Sequence, residues 1–431
     1  MSDRSGRPRS SGPRSSGPGS GGPDRGRPPF PPSRFRALWD TLAPVGRDPD
    51  TGGYLRNGWT PAEQACRDWF TAQAQARGLA VDRDGNGNLF AWRGDPAAGD
   101  AVVTGSHFDS VPHGGGYDGP LGIVSGLLAL DLLAERGAMP RRPVAVAAFV
   151  AEEGSRFGLA CLGSRLLAGA VDPDRARALT DREGTTLADA MAAAGADPDR
   201  LGPDPQRLAR IGTFVELHVE QGRALAELDA PVGVASAIWP HGRWRLDITG
   251  EGNHAGTTRM ADRRDPMLTA AYTVLAANKE ARLRGAHATV GRLAVSPNAT
   301  NAVPAAVSAW LDARAADQDT LEALVAAVRV RAVERAGRDG TSVEMAAESA
   351  SPAVEFHTGL RDRLARLLGG VPVLPTGAGH DAGVLAGHVP TAMLFVRNPT
   401  GVSHAPAESA TDADCAAGVV ALADVLQELA C

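Results

Sequence analysis

No apolar run in this chain of 431 residues exceeds strand length, well short of the roughly 20 residues a membrane-spanning helix needs. A one-sided charge is also missing. The chain has 44 basic and 50 acidic side chains, a net charge of −6, which argues against a nucleic-acid footprint and against docking on a membrane surface. Cysteine is scarce: Cys66, Cys161, Cys415 and Cys431 are scattered with no CxxC spacing, so neither a disulfide framework nor a zinc knuckle is expected. A reducing cytosol is the compartment that fits. Aromatic residues are only 5% of the chain, but Ala, Val and Leu are plentiful enough for one large domain and a smaller one.

The first 32 residues lack apolar side chains almost entirely and consist mainly of Gly, Pro, Ser and Arg. With no apolar central region they are not a secretory signal. They bury too little to offset the entropy of ordering, so residues 1–33 are expected to form a disordered tail.

From Phe35 the pattern changes. Phe35 to Trp39 opens a helix, and Thr60-Pro61-Ala62-Glu63 predicts a capping box with Pro at the first helical position. Strands are expected at Leu89–Trp92, Ala101–Val103, Val144–Val150 and Phe214–Val219, with helices between them at Ile123–Leu133 and from Ser164. Such alternation predicts an α/β domain on a mostly parallel sheet, whose ligands gather at the carboxyl ends of the strands. After Gly222 the style shifts: Arg243–Thr249 and Ala306–Ala313 alternate with period two, and long helices cover about 265–284 and 320–336. The expected organisation is therefore a large di-metal catalytic domain, residues 34–230 and 348–431, interrupted by a smaller α+β lid or dimerisation domain, residues 231–347.

The chemistry concentrates where strands end. His107 and Asp109 lie in GSHFDS, Asp118 follows a Gly-rich turn, and Glu152-Glu153 comes directly after VAVAAFVA. His218 in ELHVEQG and His404 in GVSHAPAE complete a set of histidines and carboxylates suited to two metal ions. A pair of divalent ions about 3.5–4 Å apart lowers the pKa of a water and polarises a carbonyl, and needs a bridging carboxylate, for which Asp118 is the natural candidate. Asp109 is placed to accept the far ring N–H of His107. Glu152 and Glu153 are adjacent and cannot both face one site from an extended strand, so one is expected to ligate and the other to take a proton. Each motif alone is weak, since a His-x-Asp pair or a Glu-Glu pair is usually a surface feature. Their conjunction at successive strand ends carries the expectation.

The order GSHFDS, YDG, AEEG, HVEQG and SHAPAE over residues 34–431 resembles the M20 metallopeptidase group, in particular its branch of allantoate amidohydrolases, N-carbamoyl-L-amino-acid hydrolases and β-ureidopropionases. The resemblance implies that His107, Asp118 and His218 hold one ion, that Asp118, Glu153 and His404 hold the other, and that Glu152 is the general base. It further implies that His254, in NHAGTT, polarises the scissile carbonyl, often from a partner subunit, and that Gln221, Asn301 and Arg314 bind the substrate. His380 and Asp381 are expected to support the site without ligating metal. The implied cofactors are two divalent ions per subunit, Mn²⁺ first, with Zn²⁺, Co²⁺ or Ni²⁺ as alternatives. The implied partners are a small ureido carboxylate and a second copy of the chain joined through the inserted domain. Allantoate is the first expected substrate, N-carbamoyl-L-amino acids the second and a dipeptide the third. A catalytically silent dimeric binding protein would betray itself by a lost ligand, and no ligand is lost. Two departures from the branch, Arg259 after Thr-Thr and Trp239-Pro240-His241-Gly242 in place of a more usual Val-Gly-Gln, lie near the expected pocket and bear on substrate choice.

Overall fold

The computed structural model describes residues 30–431. Most of the segment expected to be a disordered tail lies outside the described residues. Its last residues belong to the fold, because Phe30 is buried and a helix already spans Pro32–Leu42. Helix Pro61–Ala76 starts with proline as predicted, but the capping box does not form. The Thr60 hydroxyl donates backwards to the Asn57 carbonyl, and Glu63 accepts from the Trp59 N–H and from Arg67 inside the protein. A buried ion pair has taken the carboxylate that would have closed the box.

The chain first lays down β1 (Ala80–Arg83), β2 (Leu89–Arg93), β3 (Ala101–His107), β4 (Val144–Phe149), β5 (Ile211–Val219) and β6 (Val232–Ile238). It then builds β7 (His241–Thr249), β8 (Asn253–His254), β9 (His287–Ser296), β10 (Ala302–Val303), β11 (Ala306–Arg314) and β12 (Ser342–Ser351). It returns through β13 (Val354–Glu355), β14 (Val373–Thr376) and β15 (Thr391–Val396). Nine strands form one sheet in the order β1-β2-β4-β3-β5-β15-β6-β13, with β14 also paired to β6.

The centre of that sheet, β4-β3-β5-β15, is parallel, as expected for strands that read as unbroken apolar runs. Its flanks are antiparallel at β1–β2, β2–β4, β15–β6 and β6–β13, so the sheet as a whole is mixed. One face packs on helices Pro120–Glu135 and Asp412–Ala430 through Leu127, Val124, Leu422 and Leu426. The other face buries Phe90, Phe149, Phe214 and Met393 in a second core. Burial on both faces explains why β3, β4 and β15 show no alternation.

The remaining strands make a four-stranded antiparallel sheet, β12-β7-β11-β9, and a two-stranded ribbon, β8 with β10. In β11 the residues Val307, Ala309, Leu311 and Ala313 point into a core under helices Pro266–Arg284 and Gln318–Asp339, while Ser308, Trp310, Asp312 and Arg314 take the opposite face. Strand β6, placed by the sequence pattern within the insertion, pairs with β15 and β14 of the large sheet. The chain therefore leaves that sheet after Ile238 and re-enters it at Val354. Among the described residues no helix is long and apolar enough to cross a membrane.

Candidate active site

The parallel strands deliver their side chains to one edge. His107 is the last residue of β3 and pairs in register with Phe149 of β4, so the turn after β4 brings Glu152 and Glu153 alongside it. His218 sits near the end of β5 opposite Phe395 of β15, and the loop beyond β15 carries His404 at a left-handed φ of 56°. Asp118 reaches the same edge just ahead of helix Pro120–Glu135. Gly119 between them has φ +85°, and a Cβ there would stand 2.5 Å from the His107 ring, so only glycine admits the imidazole.

Two three-residue clusters result, His107, Asp118 and His218, and Asp118, Glu153 and His404, each with its ligand atoms within 4.8 Å of one another. Asp118 belongs to both. Its Oδ1 lies 3.4 Å from His107 Nε2 and 3.2 Å from His218 Nε2, and its Oδ2 lies 3.4 Å from His404 Nε2. Glu153 is 3.6 Å from His404 Nε2, and Glu152 is 3.7 Å from His107 Nε2.

The imidazoles are aimed by backbone carbonyls. His107 Nδ1 is 2.9 Å from the Asp109 carbonyl and His218 Nδ1 is 2.9 Å from the Val219 carbonyl, contacts that place each N–H on Nδ1 and turn the Nε2 atoms toward the cluster, where that of His218 also accepts the Gly119 N–H at 3.2 Å. The expected bond from His107 to the Asp109 carboxylate is replaced: its nearest oxygen is 3.6 Å away. That carboxylate accepts instead from the backbone N–H groups of Glu152 and Glu153, at 3.0 and 3.1 Å. Asp109 thus fixes the turn that sends the two glutamates in different directions, helped by the left-handed Ala151, φ 53°. Nε2 of His107 and Oε1 of Glu153 are buried with no hydrogen-bond partner. Orphaned lone pairs of this kind, converging with carboxylates, are what a divalent cation satisfies.

Charges in the cluster respond to one another. Burial opposes ionisation of Asp118, but the surrounding imidazoles, His218 foremost, outweigh it and hold the carboxyl well below the usual range. Burial pushes the Glu152 carboxyl well above its ordinary value, with His107 pulling the other way. Glu153 is raised to about 7 by burial and by Asp118. His404 is raised to about 9, chiefly by its hydrogen bond to Asp118.

A third cluster, Glu216, His218 and His380, lies just behind. Glu216 already accepts from the Ser106 hydroxyl at 2.8 Å and the Ala382 N–H at 2.9 Å, so it has little left for an ion. His380 packs with its ring 4.5 Å from that of His218, and burial pushes the pKa of its imidazole well below the usual range. Asp381 accepts from the Ser164 hydroxyl at 2.5 Å.

Several neighbours carried no individual signal in the sequence. Glu408, at the end of SHAPAE, accepts the N–H groups of Tyr117 and Asp118 at 2.9 Å each and the Ser403 hydroxyl at 3.0 Å. Gly115 packs flat on it, since a Cβ there would lie 2.3 Å from its carboxyl carbon. Cys161 directs its thiol to Glu152 Oε1 at 3.2 Å.

The cluster opens on a cleft of about 750 Å³ lined by Gln221, Ser403 and His404 near the strand ends and by Arg314, Trp239 and His287 farther out. Gln221 donates to Asp118 at 2.7 Å, which sets it against the cluster. Arg314 donates to Asp312 at 2.8 and 3.2 Å and to the Gly377 carbonyl at 2.6 Å, linking the small sheet to the large domain. His254 and Asn301 are not brought in. Both are exposed at the β8–β10 ribbon, where His254 Nδ1 accepts from the Gly256 and Thr257 N–H groups and the Asn301 carbonyl accepts from the Ala255 N–H.

Comparison with known proteins places the chain among related hydrolases. Residues 103–428 match the family model described as peptidase family M20/M25/M40. The chain is 38% identical over 409 residues to an N-carbamoyl-L-amino acid amidohydrolase of Geobacillus stearothermophilus, covering 91% of this chain and 98% of the relative. It is 34% identical to the allantoate amidohydrolase of Escherichia coli K12, covering 90% and 96%. An amidase of the hydantoinase/carbamoylase family from Burkholderia vietnamiensis superposes with a TM-score of 0.84 at 31% identity, covering 94% and 98%.

Proposed function

The chain belongs to peptidase family M20/M25/M40, and from that premise we propose that it is a metal-dependent hydrolase of a ureido (carbamoyl) carbon–nitrogen bond beside a carboxylate. The observation that carries this reading is the pair of clusters sharing Asp118, with a further glutamate, Glu152, beside them, next to a cleft lined by His404 and Arg314.

His107, Asp118 and His218 would hold one ion, and Asp118, Glu153 and His404 the other, with Mn²⁺ the first choice. Such ions, when bound, supply Lewis acidity toward a carbonyl oxygen and make a nearby water more acidic. Arg314 holds the substrate carboxylate, for which a planar fork of donors is suited, and Gln221 contacts the polar arm. Glu152 takes a proton from the attacking water as oxygen bonds to the carbamoyl carbon, then returns it to the nitrogen that leaves. The high proton affinity that burial confers on this carboxyl suits it to both transfers. His254 steadies the negative charge on the former carbonyl oxygen. Because His254 and Asn301 stand apart from the cleft of their own chain, they act after closure of the lid or from a second copy in a homodimer formed through the inserted domain. The overall change is a ureido group plus water yielding an amine, ammonia and carbon dioxide.

Relatives are named for allantoate and for N-carbamoyl-L-amino acids alike, and both substrates contain a ureido group next to a carboxylate. The test is ammonia release by the Mn²⁺-loaded protein on both. Hydrolysis of either supports the proposal. Absence of release from both, with metal bound at the two clusters, would overturn it.

A further inference from the structure

We infer that Trp239 and His287 form a side-chain subsite that selects N-carbamoyl-L-amino acids with an aromatic or large apolar side chain over allantoate, an inference that rests on the ureido-hydrolase proposal. The starting point is where Arg314 stands. In the small sheet Arg314 of β11 pairs across to His241 of β7 on one side and to His287 of β9 on the other, so the three side chains share one rung. Neighbours on a rung are about 5 Å apart at Cα. The ring of Trp239 meets that of His287 edge to face, with centroids 5.5 Å apart and planes at 86°. All of Arg314, His287 and Trp239 line the cleft that leads to His404.

An α-amino acid carries its carboxylate and its side chain on the same carbon. Whatever grips the carboxylate must therefore have the side-chain subsite as its immediate neighbour. Beside Arg314 that neighbour is an indole and an imidazole, with Leu374 also at the wall. Flat apolar surface of this kind favours an aromatic or bulky aliphatic group. In allantoate the corresponding substituent is a second ureido group, rich in donors and acceptors. Against an indole these would lose their water without replacement. Two of the polar side chains nearby are already engaged: Asp312 holds Arg314, and the Thr376 hydroxyl accepts the Ala378 N–H at 3.1 Å.

Trp239 is also fixed in place. Its N–H donates to the Thr376 carbonyl at 2.8 Å, its own carbonyl lies 3.0 Å from His241 Nδ1, and Pro240 restricts the backbone that follows. The backbone of Trp239 is thus held by the large sheet through β14, while its indole meets the small sheet at His287.

The experiment compares kcat/KM of the Mn²⁺-loaded enzyme on N-carbamoyl-L-tryptophan, N-carbamoylglycine and allantoate, for the natural chain and for Trp239→Val, Trp239→Phe and His287→Ala, each checked for an unchanged thermal midpoint. We expect N-carbamoyl-L-tryptophan to exceed N-carbamoylglycine by at least ~10-fold, the range a hydrophobic pocket gives for added apolar groups. That ratio should collapse in Trp239→Val and largely survive in Trp239→Phe. Preference for allantoate, or a ratio that Trp239→Val leaves in place, overturns the subsite while the hydrolase reading stands. Turnover of none of the three overturns the hydrolase reading itself, and the subsite with it.

Discussion

At the carboxyl edge of the large sheet His107, Asp118 and His218 are almost wholly buried, the rings aimed by backbone carbonyls and the Asp118 carboxylate held by the Gln221 amide and the Ser403 hydroxyl. At the β8–β10 ribbon His254 and Asn301 are exposed and hydrogen-bonded only within the ribbon and its following turn. Both regions hold residues that the proposed reaction uses, yet only the first is assembled within one chain in this conformation. The difference follows from the elements. A parallel strand buried on both faces cannot shift without unpacking two cores, whereas a two-stranded ribbon has no core of its own and belongs to the class of elements that open at lower cost. A rigid charge centre paired with a movable electrophile is the arrangement expected where water is to be excluded only after substrate has entered.

The largest effect expected from breaking this contrast is at Glu152. Glu152→Gln keeps the shape of the rigid region and removes its proton acceptor, so kcat should fall by about 10²–10⁴-fold while metal content, measured by mass spectrometry, stays at the natural level. Loss of metal in that variant would move Glu152 into the ligand set. Metal removal comes next. An ion present at 100 times its dissociation constant stabilises the folded state by about 2.7 kcal/mol, and the protection should be local. Hydrogen exchange with and without chelator should differ at residues 107–119, 150–154 and 218–221, with the small sheet largely unaffected. Equal protection of both regions would erase the contrast. Below these ranks Glu408→Gln, which weakens the acceptor for the Tyr117 and Asp118 N–H groups. Supports of this kind typically cost about 10–100-fold in metal affinity when lost, with turnover largely recovered at saturating metal.

How far these regions were legible beforehand follows the same divide. His107 and His218 lie at or near the ends of apolar strands and Glu152 follows closely after Val144–Phe149, so the buried strand advertises the position of its end. His404 and Glu408 lie in a loop of small and polar residues, where their order in SHAPAE could be recognised but the partnership of Glu408 with Asp118 has no local sign. The carboxylate of Asp109 was expected on His107 because alternation puts both on one face. The strand ends at His107, and the nearer backbone carbonyl of Asp109 takes the ring N–H. Strand β9 leaves little mark in the sequence, since it is an edge strand exposed along most of its length and its alternation fades after Gly291. Strand β6 reads VGVASAI, which marks a strand but not the sheet it joins, and its partner β15 lies some 160 residues on. Pairing across an insertion is decided by the packing of the finished domain.

The smallest effect, and the one that joins the two regions, is expected at Arg314. Its guanidinium donates through Nε and Nη2 to Asp312 on its own strand and through Nη1 to the Gly377 carbonyl, which lies between β14 and the helix Asp381–Leu385 of the large domain. A substrate carboxylate must compete with Asp312 for the fork, so part of the binding energy is offset by the bond given up. Replacing arginine by lysine keeps the charge and loses the fork. The loss of one charge-assisted hydrogen bond is worth about 1.5 kcal/mol, so Arg314→Lys should raise KM roughly tenfold. If Arg314 only grips the substrate, kcat will hold steady at saturation. If kcat falls in step with the rise in KM, the bond to Gly377 matters for bringing lid and strand ends together, and the boundary between the rigid and movable regions runs through Arg314 itself.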